Sequence, residues 1–122
     1  MKAFLLSCAS LVLLTVAILM HASHTADRVD FLEKRTAEAA LSARNDLETA
    51  GMIIQELKGE WQAVHPLLMI SAHGRYVQAV DEAILEAESL YELEDGNRLY
   101  QTLCILKEKL RGIERAIRVP NL

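Results

Sequence analysis

The hydrophobic pattern of the chain changes character once, close to Met20. The eighteen residues from Ala3 to Met20 include no charged residue, and ten of them are Phe, Leu, Ile or Val. A helix of this length rises about 27 Å, close to the hydrocarbon thickness of a bilayer. The pattern therefore predicts an N-terminal transmembrane helix. It is assigned to residues 1–22 as a signal anchor, and the lipid bilayer is the expected partner of Ala3 to Met20.

Beyond this stretch, apolar positions recur at alternating intervals of three and four residues, the spacing of one helix face. The first such segment is weak, because Thr and Ala dominate its later half. It predicts a helical stalk over residues 23–45. Asn45 and Asp46 then interrupt the pattern with side chains that favour turns and helix caps, and Asp46 is the expected N-cap. One long helix from Asp27 to Val64 is the alternative.

Three stronger stripes follow, separated by Pro66 and by the turn sequence Asp95-Gly96-Asn97. Helices joined by short turns run antiparallel. The predicted fold class is therefore all-α, with an N-terminal transmembrane helix followed by an antiparallel three-helix bundle over residues 46–122. The acidic second helix and the basic third should share a core that contains Ile84 and Leu106. A coiled-coil homo-oligomer would have the same period. The stripes are Leu47, Ala50, Ile54, Leu57, Trp61 and Val64; Ile70, His73, Val77, Val80, Ile84, Ala87 and Tyr91; and Leu99, Leu103, Leu106, Leu110, Ile113 and Ile117.

The N-terminal stretch has two alternatives to an uncleaved anchor. Signal-peptide cleavage after Ala22 or Ala26 would place Met20 or His24 where a small residue is expected. A lipoprotein would use the segment that ends at Cys8, but too few residues precede it to form a charged region and a full apolar segment. The anchor is therefore favoured over both.

The flanking charges predict the orientation of the anchor. Lys2 precedes the apolar stretch, and the nearest charge after it is that of Asp27. We expect a single-pass protein of the cell membrane, with the N-terminus in the cytoplasm and the C-terminal domain outside it.

Composition excludes several classes of function. After Met20, twelve Lys and Arg stand against seventeen Asp and Glu, so a nucleic-acid partner is not expected. Cys8 lies in the apolar stretch and Cys104 far along the domain, so no disulfide within the domain is expected. The sequence holds no phosphate-binding glycine loop, paired-cysteine motif or recognisable catalytic set. We therefore expect neither enzymatic activity nor a cofactor.

A few residues are candidates for binding. His21, His24 and Asp27 recur every three residues and could ligate a transition metal, although a polar collar at the membrane surface is the simpler interpretation. Trp61 and His73 lie on apolar stripes, where core packing competes with a role in binding a protein partner.

The order of landmarks resembles a bacterial family of small single-span helical proteins of unknown function, the DUF4363-like family. The landmarks are Asn45-Asp46 before a helix, Trp61 near its end, His73 after an apolar run, Asp95 before the final helix, and the terminal Asn121-Leu122. The resemblance covers most of the chain, best from Asn45 onward. It implies no known activity, substrate or cofactor, and it suggests a multi-span membrane protein as a partner.

Two functions are consistent with these features. The favoured one is a membrane-anchored helical interaction module, an accessory subunit of another membrane protein. The alternative is an extracytoplasmic sensor domain that binds a small ligand or a metal. A sensor needs an output domain, and the one or two residues before the apolar stretch cannot form one, so the interaction module is preferred.

Overall fold

The chain folds into four α-helices in the computed structural model. The structure describes residues 1–71 and 74–118, apart from the side chains of residues 22, 70, 71 and 118. The helices are α1 (Lys2–Asn45), α2 (Leu47–Ser71), α3 (Gly74–Glu92) and α4 (Gly96–Arg118). No strand occurs within these ranges, which confirms the all-α class.

A single residue, Asp46, separates α1 from α2. The segment from Asp27 to Val64, for which one long helix was the alternative, is therefore divided between two helices. Its carboxylate accepts hydrogen bonds from the Thr49 amide at 3.2 Å and the Thr49 hydroxyl at 2.6 Å. This confirms Asp46 as the N-cap of α2. The bond from the Thr49 hydroxyl, and then that from its amide, lowers the pKa of Asp46 below its ordinary value of 3.8. The cap therefore contributes its full stabilisation at pH values above the ordinary pKa of Asp46, and this contribution is lost as the pH falls through the lowered pKa.

Pro66, where the sequence predicts a break or a kink, does not end a helix. The helix α2 continues through it to Ser71, although proline cannot donate to the carbonyl four residues earlier. Val64 and Leu68, on either side of Pro66, are completely buried. Packing on both sides holds the helix across the defect. As described, α2 ends at Ser71 and α3 begins at Gly74.

The turn between α3 and α4 lies slightly earlier than Asp95-Gly96-Asn97. Glu94 takes the left-handed conformation with φ of 56°, while Asp95 N–H donates to the Leu90 carbonyl and Glu94 N–H to the Tyr91 carbonyl. This bonding pair closes a helix C-terminus in the Schellman arrangement, with glutamate where glycine is usual. The Asp95 carboxylate then accepts the Arg98 amide at 3.1 Å, and α4 begins at Gly96.

The four helices pack in a ring. The first helix packs against α2 and α4, and α3 packs against the same two helices. Short connections make successive helices antiparallel. Residues 23–45 therefore do not form a free stalk, and the predicted three-helix bundle gains the second half of α1 as a fourth member. The buried residues of α1 are Thr25, Ala26, Val29, Leu32, Glu33, Thr36, Ala39, Ala40 and Ala43.

One continuous core joins the four helices. It includes Ile84 and Leu106, as predicted for the α3–α4 pair, together with Trp61. The alanines of α1 let the neighbouring backbone come close. A Cβ atom built on Gly96 would lie 2.6 Å from the Ala43 carbonyl oxygen, so glycine is required at the start of α4.

Ion pairs connect the helices at the rim of the core. The four pairs named below connect α1 with α2, α2 with α3 and α1 with α4, whereas complementary charge was predicted between the acidic α3 and the basic α4. Such partly exposed pairs help to fix register more than they add stability. The pairs are Arg28 with Glu60 and Arg35 with Glu56 between α1 and α2, Lys58 with Glu88 between α2 and α3, and Glu33 with Arg111 between α1 and α4.

Two glycines of α2 should respond oppositely to alanine. A Cβ atom on buried Gly51 would lie 2.2 Å from the Tyr91 ring, whereas one on exposed Gly59 would meet nothing within 4 Å. Overpacking a core costs about 1–3 kcal/mol, and replacing a helical glycine with alanine gains up to about 1 kcal/mol. We expect Gly51→Ala to destabilise the protein and Gly59→Ala to stabilise it. Chemical denaturation of the detergent-solubilised chain, followed by circular dichroism, measures both. Equal gains would contradict the α2–α3 packing.

Candidate functional site

The first half of α1 projects from the bundle as an exposed apolar helix. An 18-residue window there has a mean hydropathy of 2.6, and none of it is buried. By length and composition it can cross a membrane. The Thr15 hydroxyl donates to the Leu11 carbonyl at 2.9 Å, which satisfies this polar group within the helix itself.

The predicted metal ligands lie where α1 enters the bundle. His21, His24 and Asp27 are all exposed, while Thr25 between them is buried and donates its hydroxyl to the His21 carbonyl at 2.8 Å. The described side chains that approach a metal-binding arrangement are different ones. The oxygen atoms of Asp30, Glu33 and Glu114 lie within 4.8 Å of one another, between α1 and α4.

Two cations already engage this carboxylate group. Arg111 Nε donates to Glu33 at 2.9 Å, and Lys34 Nζ lies 3.0 Å from Asp30. The bond to Glu33 raises the pKa of Arg111, and the bond to Asp30 raises the pKa of Lys34. The carboxylates and cations therefore form an electrostatic joint between α1 and α4. A metal ion would have to displace these cations.

A half-exposed polar cluster joins α2 to α3. The Trp61 indole N–H donates to Asp81 Oδ1 at 2.6 Å, and His65 Nε2 lies 3.2 Å from Asp81 Oδ2. The Trp61 and His65 rings meet edge to face, with centroids 5.9 Å apart and planes at 87°. One carboxylate thus satisfies two aromatic nitrogen atoms on successive turns of α2.

This cluster changes the interpretation of two residues. Trp61 is only 4% exposed, so it is a core residue and not an exposed anchor for a partner. Because α2 continues through Pro66, His65 lies inside this helix, and it contacts α3. The four-residue spacing of Trp61 and His65 was a usable signal, since it places both on one helix face. The sequence did not indicate which acidic residue of α3 would meet them.

An apolar groove runs along the outer surface between α3 and α4. Its volume is about 500 Å³, and almost all of the exposed lining is apolar. Cys104 at its base is half-buried, while Tyr76 and Ile105 are exposed. The lining residues are Tyr76, Ala79, Cys104, Ile105, Glu108, Lys109 and Gly112.

Other proteins offer no guide to this chain. The sequence matches no protein-family model, and neither a curated protein nor a solved structure is detectably similar to it. The resemblance to DUF4363-like proteins therefore stays a prediction. His73, the second candidate for partner binding, lies outside the described residues.

Removing the Asp81 carboxylate should weaken the α2–α3 joint. Asp81→Ala leaves the buried Trp61 N–H without its acceptor, which typically costs about 1–3 kcal/mol. Asp81→Asn keeps an oxygen for the indole and an amide for His65, so it should retain most of the stability. Denaturation followed by fluorescence of Trp61, the single tryptophan, measures both variants. If Asp81→Ala costs no more than Glu82→Ala at the exposed neighbouring position, the hydrogen bond does not hold the two helices together.

Proposed function

We propose that this chain is a single-pass membrane protein in which the first half of α1 is an uncleaved anchor. The observation that carries the proposal is that the apolar half of α1 is exposed on all sides and runs without a break into the packed half. Soluble monomers rarely expose so large a contiguous apolar surface. Among the described side chains, burial begins at Thr25 and Ala26, so cleavage after Ala26 would remove two buried residues of the bundle.

The bundle is placed outside the cytoplasm in this proposal. Lys2 precedes the apolar helix, and the first charge that follows it is acidic, which favours a cytoplasmic N-terminus. Met52, exposed on α2 toward the end of the bundle remote from the anchor, would then face the extracytoplasmic side.

Cysteine labelling tests this topology. We expect Met52→Cys, in a Cys8→Ser, Cys104→Ala background, to react with a membrane-impermeant maleimide in intact spheroplasts. Labelling only after lysis would show the opposite orientation, with the bundle in the cytoplasm. The intact mass of the membrane-extracted protein tests the anchor separately. A mass that begins near Ser23 or Asp27 would show that the apolar helix is a cleaved signal sequence.

The proposed role is that of a non-enzymatic interaction module, an accessory subunit of another membrane protein. Its support is the α3–α4 groove, which leaves apolar side chains such as Ile105 facing outward from an otherwise charged domain. An apolar helix of the partner, standing beside the bundle, would cover these side chains. A groove of this volume also falls within the range of small-molecule sites. A sensor of small apolar ligands is therefore the second candidate.

Site-specific photocrosslinking separates the two roles. A photoreactive residue at Ile105 should yield one discrete product with a membrane protein in native membranes, while the same residue at Met52 should not. Both positions are exposed on the bundle, but only Ile105 lines the groove. Identical patterns at the two positions would contradict the interaction module. A small molecule retained by the extracted protein in native mass spectrometry would favour the sensor.

A further inference from the structure

The two ends of the helical bundle differ in chemistry. No acidic residue occurs between Glu60 and Asp81, and Arg75 is the only Lys or Arg in that interval. This interval contains the end of α2 and the start of α3. The opposite end carries the acidic residues Asp46, Glu94 and Asp95 in its two turns, with Arg44 and Arg98 in the adjoining helices. The α2–α3 side of the first end is therefore suited to an apolar environment, whereas the end of α4 beside it carries Glu114 and Arg115.

The apolar end lies beside the point where α1 leaves the core. Because α1 and α2 run antiparallel from Asp46, positions equally far from it lie at similar levels, and Met69 corresponds to Ser23. A second estimate starts from the ion pair between Arg28 and Glu60. Nine residues after Glu60 is Met69, and nine residues before Arg28 is Leu19, so this count places Met69 at the level of Leu19. The two estimates, Leu19 and Ser23, bracket Met20, where the apolar stretch ends. The end of α2 thus reaches the level at which α1 would enter the hydrocarbon.

Tyr76 of α3 lies at the same level as Met69. Asp81 of α3 contacts Trp61 and His65 of α2. Because the two helices are antiparallel, Tyr76, five residues before Asp81, lies at the level of positions 66 to 70 of α2. Met69 is 53% exposed and Tyr76 is 51% exposed. Tyrosine is enriched at the boundary between hydrocarbon and headgroups, where its ring is buried and its hydroxyl stays hydrated. Arg75, which is exposed beside it, can bind a lipid phosphate.

We propose that the α2–α3 end, formed by Met69, Arg75 and Tyr76, lies in the interfacial layer of the bilayer that α1 crosses. This inference rests on the membrane anchor proposed above. The bilayer is the indicated occupant because the exposed side chains adjoin the span, which keeps this end of the bundle at the membrane surface. A bundle held in this way has two attachments to the membrane, one spanning and one interfacial.

Depth measurements on the full-length chain in phosphatidylcholine and phosphatidylglycerol vesicles test the proposal. Single cysteines at Leu14, Met69 and Met52, in the Cys8→Ser, Cys104→Ala background, carry an environment-sensitive fluorophore. Lipid-borne nitroxide and aqueous iodide serve as quenchers. Met69 and Met52 are matched, since both are exposed methionines of α2 at opposite ends of the bundle. Leu14 reports on the anchor alone.

We expect lipid nitroxide to quench the probes at Leu14 and Met69 several-fold more strongly than the probe at Met52, and iodide to show the reverse order. If Met69 behaves like Met52 while Leu14 is quenched from lipid, the interfacial contact is wrong and the anchor stands. A probe at Met69 that is shielded from both quenchers would indicate a protein interface and would also overturn the proposal. Iodide quenching at Leu14 would overturn the anchor and the interfacial contact together.

Discussion

The continuity of α1 is the constraint on which the rest of the molecule depends. One helix of 44 residues, about 66 Å long, carries an exposed apolar surface in its first half and a buried stripe in its second. The second half supplies one wall of the core, and without it the inner faces of α2 and α4 would be open to water. The joint of Glu33 with Arg111 and the ion pair of Arg28 with Glu60 fix how those two helices sit on it.

Much of the fold followed from local physical chemistry in the sequence. The apolar N-terminal helix, the Asp46 cap and the buried pair Ile84 and Leu106 each depend on residues that act through spacing or a nearby hydrogen bond. The role of residues 23–45 did not follow. Alanine buries little surface, so its stripe is faint in sequence, yet its small side chain permits the close approach of Gly96 to α1. The helix through Pro66 did not follow either, because the local preference of proline predicts an interruption and the packing of Val64 and Leu68 that maintains the helix is not visible in the sequence.

The candidate sites were harder to predict than the fold, because they depend on which helices become neighbours. His21, His24 and Asp27 share a spacing that would suit a metal. In the structure all three side chains are exposed where α1 enters the bundle, and the side chain that turns inward there is that of Thr25. Trp61 was correctly considered as a core residue, whereas its hydrogen bond to Asp81 required the register of α2 on α3. The α3–α4 groove likewise exists only once two amphipathic helices have packed and left part of their outer edges uncovered.

The uninterrupted α1 also fixes rotational phase. Eighteen residues make five complete helical turns, so Ser7 lies on the same side of α1 as Thr25, and Leu14 lies on the same side as Leu32. Thr25 and Leu32 both face the core. The side of the apolar helix that carries Ser7 is therefore the side over which the bundle stands. With no swivel between the two halves, turning the apolar helix about its axis turns the bundle by the same angle. In the proposed membrane-anchored protein, a neighbour that packs on that side within the bilayer lies directly beneath the bundle, and one on the opposite side lies clear of it.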